Sequence, residues 1–84
     1  MTNTEKLIYE IQEEYNKELQ RVKEIIEEST GESIRVLGLE IGTTRSYMEF
    51  FLNNSFYIGT VFKNSSYLKI YKLNDVKTGG KDNE

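Results

Sequence analysis

From Thr4 to Ser29 the apolar positions recur at three- and four-residue intervals. At about 100° per residue, Ile8, Ile11, Tyr15, Leu19, Val22 and Ile26 share an arc of roughly 80°. Leu7 and Ile25 widen this stripe on one side, while Lys6, Glu10, Glu13, Lys17, Glu24 and Glu28 lie opposite. A long amphipathic helix is predicted. Thr2 and Glu5 have the spacing of a reciprocal cap, in which hydroxyl and carboxylate each satisfy a free backbone N–H, and Gly31 supplies the stop. A heptad reading with Ile8, Tyr15 and Val22 at one seam position puts Glu18 between Ile11 and Ile25 at the other, so the stripe fits a sheet better than a coiled coil.

Beyond Gly31 the period changes. Ser33 to Ile41, Arg45 to Leu52, Phe56 to Phe62 and Tyr67 to Leu73 are rich in branched and aromatic residues and read as four strands. Short polar separators make neighbouring strands antiparallel, which gives a four-stranded meander. A three-residue loop at Asn53-Asn54-Ser55 sets Leu52 against Phe56, Phe50 against Ile58 and Met48 against Thr60, whereas a two-residue loop scrambles that match. With the first hairpin closed around Thr43-Thr44, the helix-facing side is expected to carry Leu37, Leu39, Ile41, Met48, Phe50, Leu52, Phe56, Ile58 and Phe62, with Leu68 and Ile70. A four-residue loop before the last strand would instead turn Tyr67 and Tyr71 inward. Gly38 and Gly59 are expected at a bulge or a close approach on the outer face.

The expected fold class is therefore α+β, an N-terminal amphipathic helix packed on one face of a four-stranded antiparallel β-meander, in the order αββββ. Residues 1–74 form a single domain, and 75–84, which end in the polar, apolar-free run Gly79-Gly80-Lys81-Asp82-Asn83-Glu84, read as a flexible tail. At 84 residues and 37% hydrophobic content, a second domain has no room. The absence of cysteine removes a disulfide framework, and no apolar run approaches the roughly 18 to 20 residues that span a bilayer. A cytoplasmic protein with no membrane partner is the expectation.

Charge is unevenly placed. Residues 1–31 hold eight Glu against four Lys or Arg, giving −4, while 32–84 hold six acids against seven bases, giving +1. That balance argues against strong non-specific nucleic-acid binding, because such binding draws on accumulated positive charge. Histidine and cysteine are both absent, which removes the commonest general base, the commonest metal ligand and the thiol nucleophile. No enzyme activity, cofactor or metal site is expected. The stretch Gly38 to Arg45 is no phosphate loop, since no helix N-terminus and no Lys-Ser/Thr follow it.

Two surfaces remain as binding candidates. The outer sheet face is expected to present Val36, Tyr47, Glu49, Phe51, Tyr57 and Val61, with Tyr67, Lys69 and Tyr71 beside them. Rings rimmed by charge suit a protein interface, with self-association through this face or an edge strand as the first reading. A second class is a nucleic-acid or nucleotide binder that stacks on Tyr47, Tyr57, Tyr67 and Tyr71 and holds phosphates with Arg45 and Lys69. A third is a structural subunit of a homo-oligomer. The other surface is the helix back, where Glu24, Glu27, Glu28 and the nearby Glu32 crowd a C-terminal end whose dipole disfavours them. They are read either as a solvated face or as contacts to a basic partner protein. A compact acidic chain rich in Lys, Asn, Glu and Tyr also resembles the small inhibitors encoded by phages and other mobile elements. That resemblance implies an anti-defence role exerted by occupying a partner's surface.

Overall fold

The computed structural model describes residues 2–73; the tail expected over 75–84 lies outside them. α1 spans Asn3–Thr30. Its start is the reciprocal cap: the Glu5 N–H donates to the Thr2 hydroxyl and the Thr2 N–H to the Glu5 carboxylate, each at 3.1 Å. Gly31 ends it in the left-handed region at φ 74°, and its N–H donates to the Glu27 carbonyl at 2.8 Å. The strands β1 (Arg35–Ile41), β2 (Arg45–Leu52), β3 (Ser55–Phe62) and β4 (Leu68–Lys72) form one antiparallel sheet in the order β1-β2-β3-β4. The αββββ expectation is met. No helix among the described residues is long and apolar enough to cross a membrane.

The register differs from the expected one in the second hairpin. Leu52 pairs with Ser55, so the turn is the two-residue Asn53-Asn54, with φ of 51° and 64° at the two positions. Two consecutive left-handed residues twist a hairpin the way its strands already twist, and asparagine tolerates them best after glycine. Every side chain of β3 consequently sits on the face opposite to the expectation. Phe50 meets Tyr57, Met48 meets Gly59 and Ser46 meets Val61. Tyr57, Gly59 and Val61 therefore face the helix, while Phe56, Ile58 and Phe62 face away.

β1 carries a second correction. Its pairing with β2 shifts between Val36 and Gly38, so that Val36 rather than Leu37 opposes Phe50. Val36 packs against the core, and Leu37, at the bulge, is exposed. Leu39 and Ile41 lie on the helix side as expected, opposite Met48 and Ser46. In β4, Leu68 and Ile70 oppose Val61 and Gly59, which leaves Lys69 and Tyr71 on the outer side.

The core is small and lies under the C-terminal half of α1. Val22, Ile26, Ile34, Met48, Phe50 and Val61 are its buried apolar members, with Leu19, Ile25, Leu39, Leu52, Tyr57 and Leu68 packed around them. Gly59 gives Ile26 a close seat on the sheet: a Cβ there would stand 2.8 Å from Ile26 Cδ1 and 3.3 Å from Phe50 Cε1. The missing side chain is what lets Ile26 seat, on the inner rather than the outer face.

A helix of 28 residues is about 42 Å long, whereas strands of seven or eight residues reach about 25 Å. The sheet covers only part of the rod, and every residue from Thr2 to Lys17 is exposed. Partial burial begins at Glu18. The N-terminal half of α1 thus extends beyond the sheet as an arm, which accounts for the long dimension of a molecule measuring 52 × 27 × 22 Å.

Candidate binding surfaces

The outer sheet face is assembled in rows by the register. Arg45 opposes Phe62; Glu40, Tyr47, Thr60 and Lys69 form the next row; Gly38, Glu49, Ile58 and Tyr71 the third; Arg35, Phe51 and Phe56 the last. Phe51 and Phe56 pack with ring centroids 4.9 Å apart, and Phe62 meets Tyr67 edge-on at 5.6 Å. The Arg45 guanidinium lies 5.5 Å from the Phe62 ring centroid and 5.9 Å from that of Tyr47, a cation over two π faces. Between the aromatic ends is a shallow open depression of about 420 Å³, lined by Gly38, Leu39, Glu40, Tyr47, Glu49 and Ile58. Glu49 lies close over Gly38, whose missing Cβ would stand 3.8 Å from the carboxylate.

Of the residues singled out from the sequence, Tyr47, Phe51, Tyr67, Lys69 and Tyr71 are brought together on this face. Tyr57 and Val61 are not. Tyr57 stacks on Phe50 at 5.4 Å with its ring nearly parallel, and Val61 is fully buried beneath the helix. Phe56, Ile58 and Phe62 take their places, and the resulting face is richer in apolar rings than the expected one. The signal for the exchange was the Asn53-Asn54 pair, whose turn chemistry fixes which side chains β3 turns outward.

The acids of the helix back are held by different partners. Glu27 accepts a hydrogen bond from the Ile34 N–H at 3.0 Å and so clasps the connection between α1 and β1. Glu24 accepts from Gln20 Nε2 at 2.9 Å, one turn away, and Glu28 is exposed. Among the described residues no three acids converge as metal ligands would.

Glu18, the residue that interrupts a heptad reading, marks the point where α1 leaves the sheet. Arg21 grips its carboxylate with Nε and one terminal nitrogen, both at 2.9 Å, and the buried Ser46 hydroxyl donates to the same group. The Arg21 hydrogen bonds, with smaller help from Ser46 and Lys63, outweigh partial burial and hold the Glu18 carboxyl down at about 2. Arg21 also donates to the Phe62 and Ser65 carbonyls at 3.4 and 3.3 Å, which ties the helix to the end of β3 and the loop after it. This polar lock has all its principal partners within the chain. Compared with protein-family models, with curated proteins and with solved structures, the chain matches none.

Proposed function

We propose that this chain is a small non-enzymatic binding module whose outer sheet face docks on a partner protein. The observation that carries the reading is that Tyr47, Phe51, Phe56, Ile58, Phe62, Tyr67 and Tyr71 share one face that no described element covers. Its charges are mixed in sign, and Arg35, Arg45, Lys69 and Glu40 lie at strand ends or on the edge strands, as at the rim of a protein interface, with Glu49 alone in the middle. Rigid rings that lose few rotamers on contact are the usual anchors of such surfaces. The lack of cysteine fits action in the reducing cytoplasm. An inhibitor of the type that phages and other mobile elements encode, acting by covering a partner's site, is the specific form proposed.

A second reading rests on Arg45. A guanidinium over Tyr47 and Phe62, with Tyr67 beside it, is also a platform on which a single-stranded nucleic acid could stack. Glu40 and Glu49, one row or two away, oppose a phosphate backbone and rank this reading second.

The two are separated by one set of variants. Tyr47→Ser, Phe56→Ser and Tyr71→Ser combined should retain the far-ultraviolet circular dichroism of the parent, because none of the three is a core side chain. Affinity capture from host cells with quantitative mass spectrometry should show a protein enriched by the parent and lost by the triple variant. Equal enrichment by both would remove the sheet face as the docking site. Tight, salt-sensitive binding of single-stranded oligonucleotides that is lost on Arg45→Ala would move the assignment to the second reading.

A further inference from the structure

We propose that the projecting half of α1 is a dimerisation arm, which pairs antiparallel with the same arm of a second copy about a two-fold axis near Ile11. The inference is independent of the sheet-face reading. It starts from the stripe that seats Val22 and Ile26 on the sheet, because that stripe continues without a break past the sheet's end. There it leaves Leu7 57%, Ile8 50%, Ile11 58% and Tyr15 38% exposed, all on the same side of the helix as Val22 and Ile26. A helical segment of this length has little stability in water on its own, and no described residue outside α1 packs on it.

The arrangement of the stripe makes a second copy the fitting occupant. Leu7 and Tyr15 lie four residues either side of Ile11, so a two-fold axis through Ile11 brings Leu7 of each copy onto Tyr15 of the other, with Ile8 closing the centre. A shallow notch lined by Ile11, Gln12, Tyr15 and Asn16 is present on the arm to receive an apolar side chain. The antiparallel sense also places the positive end of each helix, at Asn3 and Thr4, level with Glu18 of its mate, the favourable pairing of dipole and acid. The four apolar side chains expose roughly 400 Å² in each copy. Two arms thus bury about 800 Å² before their edges are counted, and the edges carry the total to the roughly 1,000 Å² that a specific interface needs.

Charge sets the expected response to salt. Lys6, Glu13 and Lys17 lie on the far side of the arm, and the seam is edged by Glu5, Gln12 and Asn16 on one flank and Glu10 and Glu14 on the other. With acids and no base along the seam, added salt should tighten the dimer rather than loosen it.

Sedimentation equilibrium of the full chain between about 1 and 100 µM should show a monomer–dimer equilibrium that shifts toward dimer between 50 and 500 mM salt. Ile11→Glu should give a monomer at every concentration with unchanged denaturant unfolding of the sheet, since Ile11 is exposed and lies outside the core among the described residues. The chain has no cysteine, so single-cysteine variants report directly. Ile11→Cys should oxidise to a covalent dimer, while Leu7→Cys and Tyr15→Cys should cross-link when mixed and poorly when alone. A parent that stays monomeric throughout, or a dimer that survives Ile11→Glu, overturns the proposal. Efficient self-cross-linking of both Leu7→Cys and Tyr15→Cys would overturn the antiparallel arrangement.

Discussion

Glu18 offers the most direct test of how α1 is fixed to the sheet. Its carboxyl titrates at about 2 in the folded chain against an ordinary value of 4.5, first because Arg21 donates to it twice and then because Ser46 and Lys63 favour its charged form. A depressed folded value means that the stabilisation is complete above about pH 4.5, declines as pH falls from there toward 2, and is absent below. The unscreened shift corresponds to about 3 kcal/mol. Because the Arg21 side chain is 33% exposed and that of Glu18 16%, solvent screening reduces this to about 1–2 kcal/mol. Glu18→Gln keeps the shape and removes the charge. Urea unfolding of parent and variant, in steps from pH 7 to pH 2, gives the free-energy gap between them at each pH, in which protonation of the other carboxylates largely cancels. The gap should be about 1–2 kcal/mol in favour of the parent at pH 7 and close toward zero by pH 2. A gap that is constant across this range, or already absent at pH 7, would refute the account of the lock.

Substitutions at two further positions probe the register and the seat of the helix. Gly59→Val should lower stability by about 1–3 kcal/mol through contact with Ile26 and Phe50, and Gly59→Ala should cost less because the end of Ile26 can turn aside; an unchanged denaturation midpoint for both would mean that the helix does not rest on Gly59. Asn54→Ala, at φ 64°, should lose about 1 kcal/mol while Asn54→Gly loses nothing or gains, and equal losses for the two would refute the left-handed turn.

The long helix was legible in the sequence because three independent signals agree on it: the stripe from Ile8 to Ile26, the Thr2–Glu5 cap and the stop at Gly31. The number and order of the strands were legible too, since branched and aromatic runs alternate with polar breaks. The facing of β3 was not, and the reason is physical. Both sides of β2 and β3 are apolar, as FYIGTVF and MEFFL show, so hydrophobic alternation fits either register. Only the turn discriminates, and it favours the two-residue Asn53-Asn54 loop over the pairing that gathers the most apolar side chains on one side. The bulge at Leu37 left no comparable mark beyond Gly38. The candidate surface was accordingly found in part: Tyr47, Phe51, Tyr67, Lys69 and Tyr71 were placed by β2 and β4, whereas Phe56, Ile58 and Phe62 were assigned to the wrong side. The arm follows from arithmetic, since a 28-residue helix outruns an eight-residue strand, but a stripe read as wholly core conceals it.

The sheet order has a kinetic consequence. Each strand bonds only to the strand next to it along the chain, so the ladder can close hairpin by hairpin with small loops at every step. Docking of Val22 and Ile26 has to wait, because the surface they meet is shared between β2 and β3 and does not exist until those two have joined. The meander should therefore zip first, led by its central hairpin, and the rod should settle on it afterwards.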